Sequence, residues 1–362
     1  MENAEERNQK IIRAVLQKEA SLCPGAVDLI GIYGSFLSGD IHPLSDLDLL
    51  IVSDDERAQA LSCTFLQEDP LIGHDLYITS WDSLQEDASY PDPHIAKLMK
   101  AKILYCAAPE QQARLEALRR QAQTLLDAPF GPEDLRKAEV MLKAAMAFYA
   151  QAMTETSLSQ VRKYAGGTVS YLEDAVAMLN KAYYTRGTKR RLAELEDMAK
   201  RPEDLAKQIT AVTAARDIPA LREALTPLMQ AVMHCFSRER ESLQKDSGSL
   251  GGSLAGTYEE MVSNWRGKMQ LAAENGDTHL AFLSLASLQG MLEDLHASAG
   301  IREYDAFSVY HPEDLSRTAE ELDLFLAEYA REYSRTGLTV RRYRDIDAFA
   351  ADYLGTSRPP EA

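Results

Sequence analysis

Cysteine is scarce in this sequence, and none of the four cysteines lies near another. The sequence contains no CxxC pair, which is the usual sign of a structural zinc site or a redox-active disulfide. It also lacks the dense cysteine framework of small secreted domains. The pattern therefore predicts neither a cysteine metal site nor structural disulfides. We expect small, mostly buried cysteines in a reducing compartment, the cytoplasm.

Long apolar runs are missing as well. No stretch approaches the ~18 apolar residues that a membrane-spanning helix needs. The first ten residues, MENAEERNQK, contain acidic side chains and no apolar segment, so they do not predict a signal peptide. We therefore expect a cytoplasmic protein without a membrane partner.

Basic residues are few compared with acidic ones. The chain has 39 Lys and Arg against 56 Asp and Glu, for a formal net charge of −17. Residues 1–108 alone have 8 basic and 18 acidic side chains. A protein that binds a polynucleotide usually presents a basic stripe, and none is visible here. We therefore expect no nucleic-acid partner, and the negative charge favours a small, preferably cationic, acceptor.

The length and overall composition are those of a globular protein with several domains. The chain has 362 residues, of which 45% are hydrophobic and 26% charged, and this length predicts two or three domains. We predict an α+β protein, in which a small mixed-sheet domain precedes two mostly α-helical domains. The predicted segments are the α/β domain at 1–108, a helical substrate-binding domain at 109–245, a Gly/Ser-rich linker at 246–257 and a C-terminal helical domain at 258–362.

Hydrophobic periodicity supports this division. Short runs rich in β-branched residues predict strands in the first domain, whereas apolar residues at helical spacing dominate after residue 131. The C-terminal domain offers a surface for a partner or for a homodimer. Strands are predicted at 27–33, 47–52, 74–80 and 102–106, and helices at 5–20, 93–101, 132–155, 160–184, 188–200, 203–215, 218–244, 258–275, 278–297, 312–335 and 344–354.

The most informative stretch is LIGIYGSFLSGDIHPLSDLDLLIV, residues 29–52. A predicted strand ends at Gly34 and Ser35, where a helix is predicted to begin. Backbone N–H groups at a helix N-terminus form an anion site, and glycine lets a phosphate approach closely. The hydroxyl of Ser35 can donate a hydrogen bond to a phosphate oxygen.

Two aspartates follow at the start of the next predicted strand. Side chains two positions apart on a strand share one face, so Asp46 and Asp48 are expected to lie ~6–7 Å apart along it. Carboxylates are the hard oxygen ligands that Mg²⁺ prefers. Asp75, within the predicted strand 74–80, offers a third carboxylate, and Asp69 and Asp82, which flank that strand, are the alternatives for this role. Asp46, Asp48, Asp75 and a triphosphate can together hold two Mg²⁺ ions.

This combination resembles the DNA-polymerase-β-like nucleotidyltransferase superfamily. Its hallmark is a hydrophobic residue before Gly-Gly or Gly-Ser, then two aspartates separated by one hydrophobic residue, then a third acidic residue on another strand. Here these are Tyr33-Gly34-Ser35, Asp46-Leu47-Asp48 and Asp75, within residues 25–108. The helices that follow make the chain resemble the small-molecule branch, which includes aminoglycoside and lincosamide nucleotidyltransferases.

The resemblance implies transfer of AMP from ATP to a hydroxyl group of a small molecule, with two Mg²⁺ ions and release of pyrophosphate. In aminoglycoside-modifying relatives a helical glutamate can act as general base, and Glu173 and the neighbouring Asp174 are the acidic candidates here, with Glu173 preferred. Lys181 and Lys189 are candidates for binding the triphosphate.

The sequence departs from the family pattern at one point. Many relatives have an arginine shortly after Gly-Ser, whereas this chain has GSFLSGD. Two alternatives to transfer onto a small molecule therefore stay open. In the first, the acceptor is a protein side chain, as in minimal toxin-neutralising relatives. In the second, the protein is a non-catalytic nucleotide-binding regulator. The preference for ATP over other nucleotides has no short signature in the sequence.

Overall fold

The structure is a computed structural model that describes residues 4–39, 42–187, 190–245 and 254–355. The chain forms two compact units, Met1–Arg240 and Glu241–Ala362. The domain boundary predicted at residue 108 lies within the first unit and stays a prediction.

A four-stranded mixed sheet lies in the first unit, with strand order β5-β2-β1-β6. Strand β1 runs antiparallel to β2 and β6, and β5 runs parallel to β2. Every residue of β1 and β2 is buried, because helices cover both faces of the sheet. The predicted α+β fold class is confirmed. The bounds are β1 Leu29–Ile32, β2 Leu49–Val52, β5 Ile78–Thr79 and β6 Lys102–Cys106.

A separate two-stranded hairpin stands beside this sheet. It consists of β3, Cys63–Glu68, and β4, Leu71–Leu76. The expectation of one strand over 74–80 is therefore wrong, because the segment is divided between β4 of the hairpin and β5 of the central sheet. Side chains of β4 alternate between exposed and buried, which is the pattern of a strand with one solvated face.

Helices cover the two faces of the central sheet. On one face, Ile12 and Val15 of α1 pack against Ile30 and Ile51. On the other, Leu115 and other apolar residues of α5 belong to the cluster that covers Leu29 and Leu50. The periodicity analysis did not predict α5. The helices of this layer are α1 Ala4–Leu22, α2 Ser35–Ser38, α3 Trp81–Ser89, α4 Ala96–Lys100 and α5 Pro109–Asp127.

The rest of the first unit is helical, as the periodicity predicts. Helices α6 and α7 form an extensive pair, and α7 is buried on all sides from Leu172 to Leu179. Within the described ranges, no helix is long and apolar enough to cross a membrane. The helices are α6 Pro132–Thr154, α7 Leu158–Leu179, α8 Arg191–Glu196, α9 Leu205–Ala214 and α10 Ile218–Lys245.

The second unit is a helical bundle with its own core. Leu254 and Thr257, at the end of the predicted linker, are buried in it, whereas 246–253 lie outside the described residues. A π-helical segment, Val262–Arg266, precedes α12, and Arg266 forms two hydrogen bonds with Asp323 of α14. The helices are α11 Thr257–Met261, α12 Gly267–Asn275, α13 Thr278–Ala299, α14 Leu315–Arg335 and α15 Ile346–Tyr353.

Two neighbouring glycines in α7 provide a test of the α6–α7 packing. A Cβ on Gly167 would lie 2.6 Å from the ring of Phe148, which stacks on Tyr171, whereas a Cβ on Gly166 would meet nothing within 4 Å. We expect Gly167→Ala to lower the free energy of unfolding by about 1–3 kcal/mol through overpacking. Gly166→Ala is the matched control and should raise it by roughly 0.5–1 kcal/mol. Urea denaturation measures both changes, and equal values for the two variants would contradict the packing.

Candidate functional site

The site is built where β1 ends and β2 begins. Because β1 and β2 are antiparallel, with Ile32 opposite Leu49, the residues after β1 face those before β2. The Tyr33 N–H donates a hydrogen bond to the Asp48 carbonyl oxygen at 3.1 Å. The Asp46-Leu47-Asp48 segment is therefore held against the turn at Gly34.

Gly34 is required at this turn for two reasons. Its φ of 70° lies in the left-handed region that favours glycine. In addition, a Cβ placed on Gly34 would lie 1.9 Å from Asp48 Oδ2 and 2.7 Å from Asp48 Cγ. The carboxylate of Asp48 therefore packs directly on the bare Cα of Gly34, next to the first turn of α2. The structure thus brings Gly34, Ser35 and Asp48 together, as the motif predicts.

Asp46 and Asp48 alternate with buried leucines. Leu47 and Leu49 are each 2% exposed, whereas Asp46 is exposed and Asp48 is half-buried. Regular pairing of β2 starts only at Leu49, so both carboxylates stand in the segment that enters the strand. This arrangement leaves the two aspartates outside the core that their neighbours fill.

Two tyrosines that the sequence analysis did not single out complete this edge. The hydroxyl groups of Tyr33 and Tyr77 lie 3.0 Å apart. Burial raises the pKa of Tyr33 above its usual range, and the hydrogen bond to Tyr77 and the negative charges of Asp48 and Asp46 raise it further. Tyr33 is therefore a protonated, neutral neighbour of both carboxylates. In the sequence, the only feature that points to a role for Tyr33 in the site is its position directly before Gly34.

Asp75 approaches Asp46 from the hairpin. It lies on the exposed face of β4, opposite Thr64 of β3, whose hydroxyl donates to Asp75 Oδ1 at 3.1 Å. Asp46 and Asp75 line the same open pocket, which has a volume of about 520 Å³. The lining residues are Asp46, Thr64, Phe65, Leu66, Gly73, His74 and Asp75.

The aspartates fit a magnesium site that the nucleotide completes. Among the described residues, no three His, Cys, Asp or Glu side chains have the arrangement of a preformed metal site. Protein Mg²⁺ sites usually consist of one or two carboxylates together with substrate phosphates and water. Asp46 and Asp48 match that type of donor set, and the place of Asp75 among the ligands stays a prediction.

Glu173 has a partner of its own in the helical part of the unit. Its carboxylate accepts a hydrogen bond from Arg191 at 3.1 Å. Burial raises the pKa of Glu173, and Arg191 opposes that shift. Next to it, Asp174 lies 3.1 Å from Nε2 of His94. In the described residues, no contact joins Glu173 to Asp46, Asp48 or Asp75.

Of the two lysines predicted to bind the triphosphate, the structure describes only Lys181. The ammonium group of Lys181 donates to the carbonyl of Ala128 at 2.7 Å and lies 3.4 Å from Asp134. Those contacts hold it beside α6, and none of them involves Asp46, Asp48 or Asp75. Lys189 lies outside the described residues.

The comparisons with known proteins agree with the geometry of the first part of the chain. Residues 9–106 match the family model of the nucleotidyltransferase domain. This segment is a nucleotidyltransferase domain. The chain is therefore a transferase, and its class of reaction is nucleotidyl transfer. The predicted superfamily is confirmed for this domain.

One solved structure adds a weak similarity. The nucleotidyltransferase-like protein from Exiguobacterium sibiricum is 12% identical, and the alignment covers 79% of this chain and 91% of that protein, with a TM-score of 0.37. A score this low carries no argument, so the assignment depends on the family model and the site. No curated protein matches the chain.

The contact between Gly34 and Asp48 can be tested with a second glycine that also has a positive φ. Gly39 also has positive φ, 75°, but a Cβ there would meet nothing within 4 Å. If Asp48 binds the metal of a nucleotide complex, as the motif predicts, Gly34→Ala should weaken binding of MgATP roughly tenfold or more, which corresponds to about 1.4 kcal/mol, because the added Cβ displaces the Asp48 carboxylate. Gly39→Ala places a side chain at positive φ without this clash, at a ψ of 9° that alanine adopts more easily than the ψ of −148° at Gly34. Calorimetric titration that gave equal losses for both variants would contradict the role of the contact.

Proposed function

We propose that the protein transfers a nucleoside monophosphate, AMP from ATP, to a hydroxyl group of a small molecule and releases pyrophosphate. The observation that carries this proposal is the Asp46-Leu47-Asp48 segment, in which Asp48 packs against Gly34 and Asp46 lines a pocket together with Asp75. A phosphate turn, a pair of carboxylates and an adjacent pocket are the parts that such a transfer needs.

The turn and the aspartates would bind different parts of the nucleotide complex. Gly34 allows a phosphate to approach the backbone closely, and Ser35 contributes its N–H and hydroxyl groups. Asp46 and Asp48 would hold Mg²⁺, which when bound activates the attacking hydroxyl and neutralises the leaving pyrophosphate. The neutral Tyr33 adds no further negative charge beside them.

Asp75 is better placed than Glu173 to take the proton of the acceptor hydroxyl. A general base must reach that proton directly or through one water. Asp75 lines the pocket with Asp46, and Thr64 binds only one of its two oxygens in the described structure. Glu173 is instead paired with Arg191. We therefore assign the base to Asp75 and a structural ion pair to Glu173.

The pocket suggests the chemistry of the acceptor. Its lining includes two carboxylates and no lysine or arginine, so it disfavours anions. Leu66, which is 71% exposed, stands opposite Gly73 across the hairpin and provides an apolar surface. An uncharged or cationic alcohol with an apolar face complements this surface.

The aspartates are tested by pyrophosphate release from ATP with a panel of amino alcohols and sugars. We expect Asp46→Asn and Asp48→Asn to lower the rate roughly a thousandfold, because metal ligation supplies several kcal/mol of transition-state stabilisation. Chelation of Mg²⁺ should have the same effect. Asp82→Asn, on the exposed first turn of α3, is the control and should leave the rate unchanged.

The other outcomes of this assay are informative. Transfer of labelled AMP to a protein rather than to a small molecule would contradict the proposed acceptor class. Binding of ATP without turnover on any acceptor would contradict the proposed reaction and favour a regulatory protein.

Two leucines on the same hairpin test where the acceptor binds. Leu66 lines the pocket, whereas Leu71, which is similarly exposed at 68%, does not. We expect Leu66→Thr to raise the KM for the acceptor about fivefold, as the loss of about 1 kcal/mol of apolar contact implies. The KM for ATP should stay unchanged, and Leu71→Thr should change neither value. Steady-state kinetics measures both KM values. Equal effects of the two substitutions would show that the acceptor does not bind in the pocket that Leu66 lines.

A further inference from the structure

The phosphate turn and the aspartates belong to a long segment without positive charge. Between Lys18 and Arg57 the sequence contains no lysine or arginine, and both Gly34-Ser35 and Asp46-Leu47-Asp48 fall inside this gap. A triphosphate brought to two carboxylates adds further negative charge. The proposed Mg²⁺ would compensate part of this charge, and a cation from another part of the chain would compensate more of it.

Arg7 of α1 reaches this segment from outside the gap. Its guanidinium group is buried, with the residue 6% exposed. One terminal nitrogen donates to the carbonyl of Pro43 at 2.9 Å, and the other donates to the carbonyl of Ser45. Arg7 therefore binds the backbone immediately before Asp46.

Among the residues that the structure describes, Arg7 has no carboxylate partner that would explain its burial. None of the ion pairs in the described part of the chain includes it, and its Nε is buried without a hydrogen-bond partner. Arginine is almost never fully buried unless it is paired, because removing a charge from water is costly. The two backbone carbonyls satisfy its donors in part and leave the charge uncompensated.

The buried side chain of His74 is close enough to Arg7 and Asp46 to feel both charges. Burial lowers the pKa of His74, the positive charge of Arg7 lowers it further, and the negative charge of Asp46 opposes the shift. His74 stacks on Phe65, and neither ring nitrogen has a hydrogen-bond partner.

The same region contains a third buried polar side chain. Asn8 is 0% exposed, and neither its amide oxygen nor its amide nitrogen has a partner. Each unsatisfied buried polar group costs about 1–3 kcal/mol of stability. Such losses concentrate at functional sites, where the arrangement is retained for another purpose.

We propose that Arg7 is a positioning residue of the nucleotide site, which fixes the backbone before Asp46 and supplies the positive charge that the segment around Gly34 lacks. The inference depends on the proposed function for its role in catalysis. The planar guanidinium group can bind two carbonyl oxygens at once, whereas a lysine ammonium on a flexible stem keeps the charge but loses this geometry.

The experiment compares Arg7→Lys and Arg7→Gln with Arg13→Lys, an exposed arginine on the same helix. We expect Arg7→Lys to lower kcat/KM for ATP roughly tenfold or more, as the loss of a charged hydrogen bond implies. The KM for the acceptor should stay unchanged. Arg7→Gln, which also removes the charge, should be worse, and Arg13→Lys should match the wild type.

A merely structural role predicts a different result. If the Arg7 variants are less stable but the folded protein keeps the wild-type kcat and KM for ATP, the proposal is wrong. If Arg7→Gln does not fold, the kinetics of Arg7→Lys decide.

Amide hydrogen exchange separates this proposal from the proposed function. We expect Arg7→Lys, but not Arg13→Lys, to speed exchange in the peptide that covers residues 42–48, with or without nucleotide. If the wild type shows no turnover, the proposed function fails, and this exchange still decides whether Arg7 fixes the backbone. Unchanged exchange together with unchanged kinetics in an active protein overturns the Arg7 proposal alone.

Discussion

The packing of the Asp48 carboxylate on the bare Cα of Gly34 is the contact on which the site depends. It follows from the antiparallel register of β1 and β2, which places Ile32 opposite Leu49. The next residues along the two strands, Tyr33 and Asp48, are also paired, because the Tyr33 N–H donates to the Asp48 carbonyl oxygen. Because the two strands are buried on both faces, the register cannot slip without exposing an apolar core. The core of the sheet thereby fixes the position of a charged residue at its edge.

Charge is distributed unevenly around that contact. Asp46 and Asp75 are exposed and line the pocket, and Asp48 is half-buried beside Gly34, while Arg7 is buried and binds the backbone before Asp46. An isolated cation in such a place lowers stability, whereas the carboxylates and a bound polyphosphate would compensate it. In the proposed site, the buried cation lowers the free energy of unfolding and favours the binding of an anionic substrate. Such a conflict between stability and function is common at active sites.

The helical part of the first unit shows why residue type alone does not identify a site. Glu173 and Lys181 have the chemistry expected of a base and of a phosphate ligand. In the fold, however, Glu173 pairs with Arg191, and Lys181 binds the backbone of Ala128. Those pairings join residues that are 18 and 53 positions apart in the chain, so no local sequence pattern predicts them.

The sequence by itself determined the α+β class, the central strands and the Gly34-Ser35 turn followed by two aspartates. These features depend on local periodicity and on close spacing along the chain. Only the tertiary structure decided that residues 74–80 divide between a hairpin and the central sheet, and that Asp75 and Asp46 line one pocket. It also decided that a positive charge from α1 reaches the segment before Asp46. Those features depend on contacts between distant residues, which the core packing selects and the local sequence does not encode.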